Sequence, residues 1–171
     1  MTKLEWVKDL VRAEEQMEET GIVDLSIGFD NERTLAKESL ELLQVLKNEF
    51  IEAATAFNEL KASALGRIKI YGIAKTQGDF MLFRNGFKMI FSLVEPGQIS
   101  IRFNFMGPGF SAPSPIQPPG AIGATPLMDE HLLTAKKGPF GESVWKFNDQ
   151  DIRVDSVVRY HMTLFIRESA K

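Results

Sequence analysis

The chain has 171 residues, 44% of them hydrophobic and 25% charged, with a formal net charge of -3. That length and balance suit one globular domain spanning 1–171 with a core of its own, and argue against wholesale disorder. With no cysteine and two histidines, it excludes a disulfide framework, a thiol nucleophile and any cysteine-based metal site.

The acidic balance, with a pI of about 5.5, supplies no global basic field that would draw the chain to nucleic acid or anionic lipid. Met1 to Arg12 lacks a signal-peptide core, and no apolar run approaches the roughly 20 residues that span a bilayer. The expected setting is cytoplasmic, with no membrane contact.

Residues 3–19 read as an amphipathic helix. Leu4, Val7, Leu10, Val11 and Met17 fall near 3.6 spacing, glutamates fill the other positions, and Gly21 supplies a stop. The period then changes. Val23, Leu25, Ile27 and Phe29 alternate with polar residues, which predicts a strand near 22–29. A cap at Asp30 or Asn31 opens a long helix over about 31–63, striped by Leu35, Leu42, Leu43, Leu46, Phe50, Ala54 and Phe57. Ala53 and Leu60 belong to the same expected stripe. Such a helix is roughly 50 Å long and overhangs any strand of eight residues, which reaches about 27 Å.

Residues 67–106 predict a four-stranded antiparallel meander. Gly78 suits a three-residue hairpin loop that sets Lys75 opposite Asp79, and Asn85-Gly86 suits a two-residue turn pairing Arg84 with Phe87. Pro96-Gly97 fits the third turn. There, burial favours pairing Leu93 with Ile99, Phe91 with Ile101 and Met89 with Phe103, with a bulge near Gly97-Gln98 to absorb the offset.

That register makes one face apolar: Ile68, Ile70, Ala74, Phe80, Leu82, Phe87, Met89, Phe91, Leu93, Ile99, Ile101, Phe103 and Phe105. The opposite face is mixed. Tyr71, Ile73, Met81, Phe83 and Ile90 sit at its middle, and Lys69, Lys75, Asp79, Lys88, Arg102 and Asn104 surround them. It is too apolar for water and too charged for a core.

Residues 107–125 hold most of the prolines and read as a loop, of the kind used as lids or binding loops. Thr125-Pro126, early Asp129 and Glu130, late Lys136 and Lys137, and Gly138-Pro139 together predict a helix over 126–137. A strand at 142–147 carries Trp145 and Phe147. The last segment, 150–168, reads as a helix with the stripe Val154, Val157, Val158, His161, Leu164 and Phe165, although 158–166 also alternates at period two. The fold class is therefore α+β, an antiparallel sheet packed against a long helix with shorter helices at its ends.

Motifs for chemistry are weak. His161, among valines and phenylalanines, reads as a core residue rather than a general base. His131 reads as an exposed residue on the acidic start of the 126–137 helix, without a ligand pattern around it. Gly120 to Thr125 precedes that helix and resembles an anion cradle only in outline, with no Gly-Lys-Ser/Thr and no Gly-x-Gly-x-x-Gly. Pro115-Ile116-Gln117-Pro118 is a PxxP without an orienting basic neighbour, and Ser111 and Ser114 lack a nucleophile-elbow context. No catalytic residue, metal site or cofactor is expected.

The expected site is the mixed sheet face, with Lys69, Tyr71, Phe83, Lys88 and Arg102 as its contact residues. Basic residues interleaved with aromatics also occur on single-strand nucleic-acid platforms, but the acidic chain and the missing RNP aromatics disfavour that reading. The favoured expectation is a non-enzymatic binding or regulatory protein whose partner is a protein or a second copy of itself, a homodimer. The alternative is a small-ligand protein or enzyme with a cavity between helix and sheet and the 107–125 loop as lid.

Overall fold

The alternation that makes one face of the meander apolar extends further along the chain than the sequence reading placed it. The computed structural model describes residues 4–23, 31–105 and 128–170. In chain order these form α1 (Glu5–Thr20), α2 (Asn31–Lys61), β1 (Lys69–Gly72), β2 (Phe80–Arg84), β3 (Phe87–Glu95), β4 (Gln98–Phe105), β5 (Met128–Lys137), β6 (Ser143–Phe147), β7 (Gln150–Asp151) and α3 (Val154–Ser169). All seven strands join one antiparallel sheet in sequence order. The fold is α+β, as expected.

Helix α2 buries Ser39, Leu43, Leu46, Phe50 and Ala54, whose spacing of four, three, four and four keeps them on one side. Helix α3 buries Val157, Val158, His161, Met162 and Phe165. Both lie on the apolar face of the sheet. Phe50 meets Phe91 at 4.8 Å between ring centroids, Phe80 stacks on Phe91 at 4.6 Å, and Phe87 meets Phe165 at 5.5 Å. Leu82, Met89, Ile99, Ile101 and Leu133 are also fully buried in this layer. Ala74 is exposed, so it leaves the expected core list.

Buried polar side chains fasten the helices to the sheet. Ser39 Oγ accepts the Gly97 N–H at 2.8 Å, which docks α2 on the β3–β4 turn. Asn58 bonds both backbone groups of Ile68, donating to its carbonyl and accepting its N–H, as a neighbouring strand would. Arg84, 4% exposed, donates to the carbonyls of Gly66 and Ile166 and to Ser169 Oγ. Its guanidinium therefore sits at the C-terminal end of α3, where the helix dipole favours a cation.

Arg84 pairs with Phe87, as the turn chemistry predicts, and Leu93 with Ile99, as burial predicts. The bulge lies elsewhere. The register slips between Leu93 and Glu95, so Val94 on β3 is the extra residue, and the Pro96-Gly97 turn stays tight with Gly97 at φ 87°.

The first hairpin also differs. Gly72 pairs with Phe80, and the Ile73 N–H donates to the Asp79 carbonyl, so Lys75 is not opposite Asp79. The connection is longer by two residues because Thr76 Oγ1 donates to the Ile73 carbonyl and accepts the Asp79 N–H, closing the loop by itself. The Asp79 carboxylate instead accepts the Leu93 N–H. A shift of two preserves the side-chain faces.

Residues 128–137 are strand, not helix. Met128 to Thr134 pair with Gln98 to Asn104, giving the edge of β4 a ladder along nearly its whole length. Those inter-strand bonds outweigh local capping signals, which contribute about 1 kcal/mol each. Without a helix there, the suggested anion cradle at its N-terminus is lost. Residues 142–147 supply β6 and 150–168 supply mainly α3, with a two-residue strand first. The predicted strand at 24–29 and the 107–125 loop, with its PxxP, lie outside the described residues, and Ile22 and Val23 belong to no strand.

Candidate functional site

The five residues expected to form a binding surface do share one face. Lys69, Phe83, Lys88 and Asn104 are partners in one cross-strand row, and Tyr71, Met81, Ile90, Arg102 and Glu130 form the next. Adjacent strands lie about 4.8 Å apart, so each row runs roughly 15–20 Å across the sheet. A third row holds Ser92, Ser100 and Leu132.

Since α2 and α3 both pack on the opposite face, this one is not covered by either. Met81, Phe83 and Ile90 are half-buried by their neighbours, while Tyr71 is 45% exposed and Leu132 38%. Ser100 donates to Glu130 Oε1 at 2.7 Å and ties β4 to β5. Beside it, Arg102 Nε is buried with no hydrogen-bond partner among the described residues. An unpaired buried donor is a standing cost that an incoming acceptor would relieve once the guanidinium turns toward it.

A second constellation lies on the covered face. His131 is half-buried on β5, not exposed on a helix, and its Nδ1 is 3.0 Å from Nε2 of His161 on α3. His161 Nδ1 is 2.7 Å from the Val157 carbonyl. A carbonyl only accepts, so His161 carries its proton on Nδ1 and offers the Nε2 lone pair to the His131 Nδ1–H. Phe91, Phe103 and Tyr160 ring His161, and Phe103, Phe147 and Tyr160 ring His131. Burial pushes the His161 pKa down to about 4, the Val157 carbonyl opposes that, and His131 adds to it.

The expectation that His161 belongs to the core is met, with 5% exposure. Its one lone pair is taken by His131, so it has no free site for a substrate proton. Among the described residues no group of three or more His, Cys, Asp or Glu could hold a metal ion. The pair is a clasp between β5 and α3.

Among the described residues, a groove of about 330 Å³ runs between α2 and α3 past Ala53, Val158, Arg159 and Met162. At the helix–sheet interface Phe50 of α2 packs tilted on Phe91, which stacks on Phe80. Among the described residues, no helix is long and apolar enough to cross a membrane.

Known proteins add nothing here. No family model, no curated protein and no solved structure matches the chain.

Proposed function

We propose that this chain is a non-enzymatic binding or regulatory protein that associates with a second copy of itself through the mixed face of the sheet, in a cytoplasmic setting. One observation carries the reading. Lys69, Tyr71, Phe83, Lys88 and Arg102 are cross-strand neighbours around Met81 and Ile90, on the side of the sheet away from α2 and α3. An apolar centre with a charged rim is the anatomy of an interface that forms and parts, rather than of a permanent core. The orphan donor of Arg102 favours a partner that brings an acceptor. The small-ligand alternative draws no comparable support, because the space it needs between helix and sheet is occupied by Phe50, Phe80 and Phe91.

The test is the molar mass of the full chain in solution at micromolar concentration, read by light scattering. A dimer that Lys88→Glu with Arg102→Glu converts to a folded monomer supports the reading. A wild-type chain that stays monomeric up to 100-fold higher concentration overturns it.

A further inference from the structure

Among the described residues, α1 is the one helix with no buried residue. Trp6 is 60% exposed and Leu10 43%, and Val11 and Met17 are open as well. On a helix, Trp6, Leu10, Ala13 and Met17 fall on one side, followed around the cylinder by Val7 and Val11. Glu14 and Glu18 lie inside that apolar sector, four residues after Leu10 and seven after Val11 respectively. Lys8 and Arg12 lie outside it, and Arg12 is turned to Asp9. The exposed apolar stripe thus carries acidic groups and no basic one.

The sheet face described above has the reverse character, an apolar centre with Lys69, Lys88 and Arg102 about it. A 16-residue helix is about 24 Å long, enough to cross β1 to β4. The chain's own α1 is elsewhere. Glu5 Oε2 accepts from Lys37 Nζ at 3.1 Å, an ion pair that joins α1 to α2.

Resting on the self-association proposed above, we infer that α1 of each copy docks on the mixed sheet face of the other, with Glu14 and Glu18 meeting Lys88 and Arg102 and the Trp6–Leu10–Met17 stripe covering Met81, Phe83 and Ile90. The exchange covers the exposed α1 stripe with the half-buried centre of the sheet face and supplies acceptors for the Arg102 guanidinium. Its specificity comes from the charges, since like-charge juxtaposition opposes any other register.

A paired charge reversal in the full chain tests this. One variant carries Glu14→Lys with Glu18→Lys, and the other Lys88→Glu with Arg102→Glu. Each places like charges across the interface and is expected to weaken association roughly tenfold or more. Mixed in equal amounts, the two variants present opposite charges in both directions and are expected to recover dimers of mixed composition, seen by light scattering and native mass spectrometry. Circular dichroism checks that each variant is folded, and α1 tolerates the changes because none of its residues is buried.

If the wild type dimerises and the α1 variant dimerises equally well, self-association stands and the role of α1 is overturned. If both variants are monomeric and mixing restores nothing, the pairing of these charges is overturned. A monomeric wild type overturns this inference and the reading beneath it together.

Discussion

His131 Nδ1 lies 3.0 Å from His161 Nε2, so the chain's two histidines share one hydrogen bond between the sheet and the last helix. Because His161 Nδ1 already serves the Val157 carbonyl, protonation would place a second N–H where the His131 donor points. The folded state therefore holds His161 neutral.

This fixes the sign of a pH effect. The folded pKa of His161 is depressed from 6.5 to about 4, so between those values the unfolded chain binds more protons. Stability contributed by the neutral ring is present above pH 6.5 and is lost as pH falls to 4, by up to about 3 kcal/mol. Urea unfolding at a series of pH values from 7.5 to 4 is expected to show this decline, and His161→Gln, which keeps an acceptor for His131, is expected to flatten it. Equal slopes in the two proteins would assign the decline to carboxylates instead.

Arg84 should dominate the stability of the C-terminal helix. Replacing it by Met takes the Arg84 donor from the Gly66 carbonyl and from the Ile166 carbonyl, which keeps only the longer bond from Ser169 Oγ, at a cost of about 2–4 kcal/mol. Arg84→Lys is expected to recover less than half of that, because an ammonium cannot reproduce the guanidinium fork. Chemical denaturation midpoints measure both.

Ser39→Ala tests the dock between α2 and the β3–β4 turn. The buried Gly97 N–H loses its acceptor, a loss of about 1–2 kcal/mol, and amide exchange at Gly97 is expected to quicken. Gly97→Ala is expected to be worse. Its φ is 87°, and a Cβ there would sit 3.1 Å from Leu35 Cδ2.

Asn58→Ala removes both bonds to the Ile68 backbone. Limited proteolysis is expected to open the 62–68 connection several-fold faster, with about 2 kcal/mol lost from the whole fold. Unchanged cleavage would mean that neighbouring packing alone holds this segment.

Much of the meander was legible from local chemistry. Asn85-Gly86 needs positive φ at both positions and has it, at 51° and 79°, and that turn leaves Arg84 opposite Phe87 whatever surrounds it. Leu93 meets Ile99 for the same kind of reason, since a one-residue slip would have turned Ile99 and Ile101 outward. The Lys75–Asp79 pairing failed because a threonine closed the loop two residues earlier, a side-chain bond that residue types alone do not rank. Lys69, Tyr71, Phe83, Lys88 and Arg102 share one face of the sheet because parity survives an even shift.

The helix expected at 126–137 shows the limit of such reading. Its caps and charges are all present, yet they describe how an isolated segment would fold, and this segment lies along an open strand edge. With that error went His131, placed on a solvated helix and found half-buried against Phe103 and Phe147. The alternation of His131, Leu133 and Ala135 with Glu130, Leu132 and Thr134 was the signal that could have revealed it.

By itself, then, the order of residues determined the Asn85-Gly86 turn, the two faces of the meander and the helices α1, α2 and α3, because each depends on φ, parity or helical period within a few neighbours. Only the tertiary structure decided that the sheet of the described residues continues to seven strands, that α2 and α3 choose the same face, and that two histidines thirty residues apart share one hydrogen bond. Those outcomes depend on which distant edge or ring each segment meets, and burial and ladder bonding there exceed any local preference.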